Sequence, residues 1–232
     1  MKDTDKNIAL LVFTRTLREE VKQKPILGKG KGSNHQLYQQ LFRQLKRSVT
    51  LTSLDVIVWD STKQTKSNFA DNFLEAFHGV FQKGYDAVIA IGNDCPSLNH
   101  RDLIVAADHL QTRNYVIGPS KDGGVYLLGI NKIGFNAEIF SMVRWQTNCM
   151  RQDFLRAIEI NEYYCLPEKY DLDNYSDLIK FSKSKYSNPL ALWLYLFFIL
   201  LIDKIFIPHK KTSPNSVSFV HGLRAPPTLL LR

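Results

Sequence analysis

The chain has 232 residues, enough to bury the core of one domain and carry an appendage. Its 44% hydrophobic and 22% charged residues exclude wholesale disorder. Lysine and arginine outnumber the acids by 30 to 22, and the resulting +8 suits nucleic acid, anionic lipid or phosphorylated small molecules alike. No RNA- or DNA-binding signature accompanies the charge, so nucleic acid is not an expected partner.

From the N-terminus, Ile8–Phe13 is a short apolar run between polar residues, too short for a signal peptide, and reads as a buried parallel strand. Thr14 to Ser33 is rich in Lys, Arg, Glu and Gly and reads as a loop holding one helical turn. From Asn34 to Arg47, Leu37, Leu41 and Leu45 recur every fourth residue, the mark of an amphipathic helix. Leu54–Trp59 reads as a strand. Asn68–Lys83 is a second helix, with Phe69, Phe73, Phe77 and Val80 on one face.

Ala87–Ile91 is a third strand, stopped by Gly92-Asn93-Asp94-Cys95-Pro96. Asn99 caps a helix from His100 to Leu110. Tyr115–Ile117 and Val125–Ile130 are strands, and Met150–Ile160 and Asn174–Phe181 are helices, with Asn174 or Ser176 as the second cap. This alternation predicts βαβ units in a largely parallel, doubly wound sheet. A polar break at 182–189 separates the domain, 1–181, from a C-terminal part, 190–232.

Leu190–Ile202 is uninterrupted apolar sequence, shorter than the roughly 20 residues a bilayer needs. It fits a helix packed on the domain or in a homodimer. With Lys210 and Lys211 it also fits an anchor at a membrane surface through residues 190–207, and a true span only if Asp203 and Lys204 are buried. Cys95, Cys149 and Cys165 form no CxxC pair, which argues against a structural zinc site or a disulfide framework and fits the reducing cytoplasm.

In doubly wound sheets, ligands gather at the carboxyl ends of the strands, and three loops place an aspartate at such an end. Asp94 follows Gly92, which permits close ligand approach; the carboxylate suits a hard divalent cation bridging phosphate oxygens, and equally a turn or helix cap. Asp122, in Gly118-Pro119-Ser120-Lys121-Asp122-Gly123-Gly124, belongs to a hairpin turn or to a substrate-facing loop. Asp171 and Asp173 alternate in an extended segment and therefore point to one side.

Arg15, Arg18, Lys22 and Lys24 follow the first strand, as phosphate partners or as solvated surface; Arg15 lies nearest the strand end. Gly28-Lys29-Gly30-Lys31-Gly32 has neither phosphate-loop nor dinucleotide spacing, which disfavours a kinase or a dehydrogenase. Asp94 beside Cys95 raises the thiol's pKa, and the six histidines lack H-x-x-x-H spacing, so neither a nucleophilic cysteine nor a histidine metal site is expected.

Together, Phe13-Thr14-Arg15-Thr16 with Lys24, Gly92-Asn93-Asp94-Cys95-Pro96, Gly118 to Gly129, Trp145-Gln146-Thr147 and Asp171-Leu172-Asp173 resemble, in order, the motifs of a bacterial family. It is the glycosyltransferase-like "domain of unknown function 2064" family of the GT-A nucleotide-diphospho-sugar transferase superfamily, matched over about residues 7–181. The resemblance implies a Rossmann-like three-layer α/β/α fold with a mostly parallel sheet. It further implies Mg²⁺ or Mn²⁺ on Asp94 and Asp173, nucleotide phosphates near Arg15, Lys24, Gly92, Gly123 and Gly124, and catalysis by Asp94 and Asp122, the latter facing the acceptor. Gln146 and Asn148 depart from the family's W-G/S-T-S, and Asn174 from its D-x-D-T.

The leading expectation is a metal-dependent transferase using a nucleotide-sugar donor. Its alternatives are a nucleotidyltransferase releasing pyrophosphate and a non-catalytic GT-A domain held at a membrane surface.

Overall fold

The computed structural model describes residues 5–28, 31–158, 162–183 and 190–197. Six strands form one sheet: β1 (Ile8–Phe13), β2 (Asp55–Trp59), β3 (Ala87–Ile91), β4 (Tyr115–Pro119), β5 (Val125–Asn131) and β6 (Tyr163–Cys165), in the order β2-β1-β3-β5-β4-β6. β1 runs parallel to β2 and β3, and β4 parallel to β6. β5 is antiparallel to both of its neighbours, so it alone is reversed in an otherwise parallel sheet.

β1 and β3 are apolar at every position because both faces are covered, as parallel sheets require. On one face Ala9, Leu11, Val88 and Ile117 pack with α3 (Phe69–Phe81), α5 (Ala137–Met142) and α6 (Met150–Ala157). On the other, Leu10, Ile89 and Leu127 pack with α2 (Lys31–Thr50) and α4 (His100–Leu110). This is the expected three-layer α/β/α arrangement.

Most expected elements sit within a few residues of their positions, and the shifts have physical causes. α2 outruns Arg47 because Val49 continues the Leu41, Leu45 stripe and is itself buried, while the Ser48 hydroxyl donates to the Leu98 carbonyl at 3.0 Å. α4 starts where Asn99 predicts, in a reciprocal capping box with Asp102. Asn174, rather than Ser176, caps α7 (Tyr175–Ser182).

The Thr14–Ser33 segment is more ordered than its sequence suggests. It holds a two-turn helix, α1 (Leu17–Gln23), whose buried residue is Glu20 rather than an apolar one, so no hydrophobic stripe announces it. Glu19 and Glu20 lie in its first turn, where negative charge favours the helix dipole. Neither α5, one and a half turns long behind Asn136, nor the three-residue strand β6 was anticipated.

The polar break lies mostly outside the described residues. Residues 190–196 are helical, with Leu190, Ala191 and Leu194 buried, and most of the remainder of the Leu190–Ile202 run lies outside the described residues. Among the described residues no helix is long and apolar enough to cross a membrane.

Candidate functional site

Five strands end at one edge of the sheet, and β5, being reversed, begins there. A cavity of about 710 Å³ opens at that edge. Arg15, Lys24, Gly92, Asp94, Asp122, Gly124 and Asp173 all line it, as does Asp171. Arg18 and Lys22 are exposed on α1 away from it, in keeping with a solvated surface.

The acidic loops are locked together by backbone. The Leu172 N–H donates to the Asp94 carbonyl at 2.8 Å, and the Leu172 side chain is fully buried. With Leu172 turned inward, Asp171 and Asp173 both face the cavity, as their alternation predicts. Asp94 is thereby set beside a loop almost eighty positions downstream.

Lys24 ends α1 as its C-cap, its carbonyl accepting the Tyr38 hydroxyl at 2.7 Å. Its Nζ reaches Asp173 Oδ1 at 2.5 Å and Asp94 Oδ2 at 3.6 Å. Burial pulls the ammonium pKa down, but Asp94, Asp173 and Glu20 more than offset it and hold the value above that of a free lysine. Nearby, the Arg15 guanidinium sits 3.7 Å from Glu20. Burial pushes the Glu20 carboxyl up, only partly relieved by Arg15.

Asp122 sits in a turn between β4 and β5, as the hairpin reading expects, and lines the cavity. Its Oδ1 accepts the Gly124 N–H at 3.0 Å and the Ser120 hydroxyl. Gly123, which does not line the cavity, has φ +93°, and a Cβ there would meet the Asn148 carbonyl oxygen at 2.1 Å. The glycine thus lets the hairpin rest directly on the backbone of the 145–148 turn.

Asp171 was recognised as half of the D-x-D pair but not as a site residue. Its Oδ1 is buried with no hydrogen-bond partner among the described residues, and burial, then Asp94 and Asp122, raise its carboxyl well above the usual range. Sequence alternation placed it correctly; its depth depends on Leu172 and has no local signal.

The third wall is aromatic. Phe13, Phe69 and Trp145 line the cavity and are only partly buried, with ring centroids 5.5 Å apart for Phe13–Phe69 and 5.9 Å for Phe69–Trp145. Trp145 belongs to a turn fixed by Arg144, whose guanidinium donates to both oxygens of Asp153 at 2.7 and 2.8 Å. Gln146 in that turn has φ +59° and lines the cavity. Sequence reasoning had read Phe13 and Phe69 as strand and helix core.

Among the described residues no group of three or more His, Cys, Asp or Glu side chains is arranged to hold a metal ion. The Asp94–Asp173 pair is spanned instead by Lys24.

The sheet order and its acidic edge define a fold of the nucleotide-diphospho-sugar transferase type. A "putative nucleotide-diphospho-sugar transferase" from Desulfovibrio desulfuricans G20 superposes with a TM-score of 0.75 at 21% identity, over 86% of this chain and 98% of that one. That likeness establishes the fold. Within it, residues 33–147 match the profile of the family described as "Uncharacterized protein conserved in bacteria (DUF2064)", the family whose motifs the loops resemble.

Rv0371c from Mycobacterium tuberculosis H37Rv, in complex with manganese, aligns at 13% identity and TM-score 0.43, over 77% of this chain and 100% of that one. CMP:2-keto-3-deoxy-manno-octonic acid synthetase complexed with CTP aligns at 10% and 0.42, over 75% and 96%. At those TM-scores neither bears on the metal or nucleotide of this chain. No curated protein matches it in sequence.

Proposed function

We propose that the chain is a transferase acting on a nucleotide-activated substrate, a nucleotide sugar, with the diphosphate held at the Arg15, Lys24, Asp94, Asp173 end of the cavity. The observation that carries this reading is the Lys24 ammonium set between two carboxylates, Asp94 just past β3 and Asp173 just before α7, in the lining of a cavity of substrate size. A cation between converging acids on a doubly wound sheet's carboxyl edge is the charge pattern that a bound diphosphate and its counter-ion need.

Asp94 and Asp173 would hold a divalent cation only together with substrate phosphates and water, no third acid being arranged with them to hold one among the described residues. Mg²⁺ is commonly held by one or two carboxylates together with substrate phosphates and water, and Asp94 and Asp173 supply that pair. When bound, such an ion neutralises charge on the departing diphosphate. Arg15 adds a fixed positive charge on the same side, and Lys24, released from the carboxylates, adds another.

Asp122 faces the acceptor. With Oδ1 engaged by Ser120 and Gly124, its second oxygen is left to take a proton. In the reaction the acceptor oxygen forms a bond to the sugar's anomeric carbon, and the bond from that carbon to the diphosphate breaks. The electron pair leaves with the diphosphate, and the hydroxyl proton passes to Asp122. A positioned general base of this kind contributes roughly 10²–10⁴-fold.

The test is a thermal-shift panel of nucleoside diphosphates, triphosphates and nucleotide sugars, with and without Mg²⁺ or Mn²⁺. A metal-dependent rise for one nucleotide, lost in Asp94→Asn, is the expected result. No shift for any of them, or an unchanged shift in Asp94→Asn, sinks the reading. A triphosphate that binds and releases pyrophosphate would turn it into a nucleotidyltransferase.

A further inference from the structure

The side chains that line the cavity are of two kinds, and the proposed function uses only the charged ones. Phe13, Phe69 and Trp145, which also line it, present ring carbon. The polar atom of Trp145 is already spent, its indole N–H donating to the Phe140 carbonyl at 2.7 Å. A sugar hydroxyl placed against the rings themselves would lose its water and gain no partner from them, the polar Gln146 and Thr147 lining the cavity beside Trp145 rather than on it. An apolar group would gain from the same burial.

The wall is also built to stay in place. Arg144 grips Asp153 with a two-point fork, and the Thr147 hydroxyl donates to the Arg144 carbonyl at 2.7 Å. Gln146 holds a left-handed backbone conformation that side chains other than glycine adopt at a cost, and such positions gather at ligand-binding surfaces. This turn rests on the Asp122 hairpin. Asn148 touches Gly123, and the Arg151 N–H donates to the Gly123 carbonyl at 3.1 Å. The aromatic wall therefore adjoins the residue that faces the acceptor.

We infer that the acceptor is amphiphilic: next to the hydroxyl presented to Asp122 it carries an apolar group, a ring or a branched hydrocarbon, that packs against Phe13, Phe69 and Trp145. The assignment of this group to the acceptor rests on the donor reading of the charged residues.

Saturation-transfer NMR on the full chain tests it, with benzyl alcohol as the probe and glycerol as its polar counterpart. Benzyl alcohol is expected to receive saturation in its ring protons while glycerol does not, and its affinity falls about tenfold in Phe69→Ser, which removes a ring at a partly buried position. Trp145→Ala gives the same loss if it folds; Phe69→Ser, at the partly exposed start of α3, serves where it does not. The ring signal persists when UDP, CDP, ADP or GDP is bound with Mg²⁺.

Absent transfer, equal transfer to glycerol, or a signal unchanged in both variants overturns the inference. Displacement of the ring by a nucleotide alone also overturns it, because the wall would then hold the base. The donor reading fails separately: if no nucleotide shifts the melting midpoint yet the ring signal is lost in Phe69→Ser, the apolar subsite stands and the nucleotide does not.

Discussion

Lys24 Nζ lies 2.5 Å from Asp173 Oδ1 and 3.6 Å from Asp94 Oδ2, so an ammonium on the first loop fills the gap between two carboxylates far along the chain. A tethered cation in that position competes with any free one. Lys24→Met keeps the aliphatic stem and removes the charge. Its affinity for Mn²⁺ alone, measured by calorimetry, is expected to rise about tenfold, the effect of removing one close cation that repels the ion and competes for the same carboxylates. Nucleotide affinity in the same variant is expected to fall. Unchanged Mn²⁺ binding would show that the carboxylates are not a cation site.

Gly123 and Gly84 separate two costs. Both have positive φ, +93° and +94°, but a Cβ at Gly84 meets nothing within 4 Å whereas one at Gly123 drives into the Asn148 carbonyl. Gly84→Ala is expected to lose about 1–3 kcal/mol for the backbone conformation alone. Gly123→Ala loses about 1–3 kcal/mol more, for forcing atoms into packed backbone. Urea midpoints of the two variants decide it; equal losses would mean that the hairpin and the 145–148 turn separate freely.

The fork between Arg144 and Asp153 predicts an acid response. Hydrogen bonds from Arg144 hold the Asp153 carboxyl down from 3.8 to about 2. A carboxyl depressed by folding stabilises the folded state above its unfolded value, and that contribution is lost as pH falls from about 4 through about 2. Arg144→Gln removes it. The melting midpoints of the parent and Arg144→Gln should differ near neutral pH and converge toward pH 2. A difference that stays constant down to pH 2 contradicts the assignment.

Cys95 is buried, and burial followed by the charge of Asp171 pushes its thiol well above the ordinary range. Native labelling with a disulfide reagent is expected to reach Cys165 and Cys149 and to spare Cys95 until the chain is unfolded. Mass spectrometry of the labelled peptides reads this directly. Modification of Cys95 at the rate of Cys165 would mean that the β3 tip opens.

Strands such as Ile8–Phe13 and Ala87–Ile91 were legible because burial on both faces demands unbroken apolar runs, and α3 because its phenylalanines keep helical spacing. α1 was not, because the side chain it buries is Glu20. Asp94 and Asp122 were legible as candidates because one follows a strand end and the other sits in a glycine-rich turn, and Asp173 because it alternates with Asp171 in an extended segment. Their union with Lys24 was hidden, since nothing local links positions 149 residues apart. The aromatic wall was hidden for a different reason. Phe69 belongs both to a helix stripe and to a cavity, and periodicity reports only the first.

The reversal of β5 means that the two sides of the cavity are moored to different parts of the fold. Asp122 hangs on a turn clamped between two adjacent antiparallel strands, tied to Lys169 through the Lys121 N–H at 3.0 Å and to Asn148 through Gly123. Lys24, at the end of α1, is moored instead to α2, where its carbonyl takes the Tyr38 hydroxyl at 2.7 Å. A change that disturbs one mooring leaves the other in place, so the two walls can be altered one at a time.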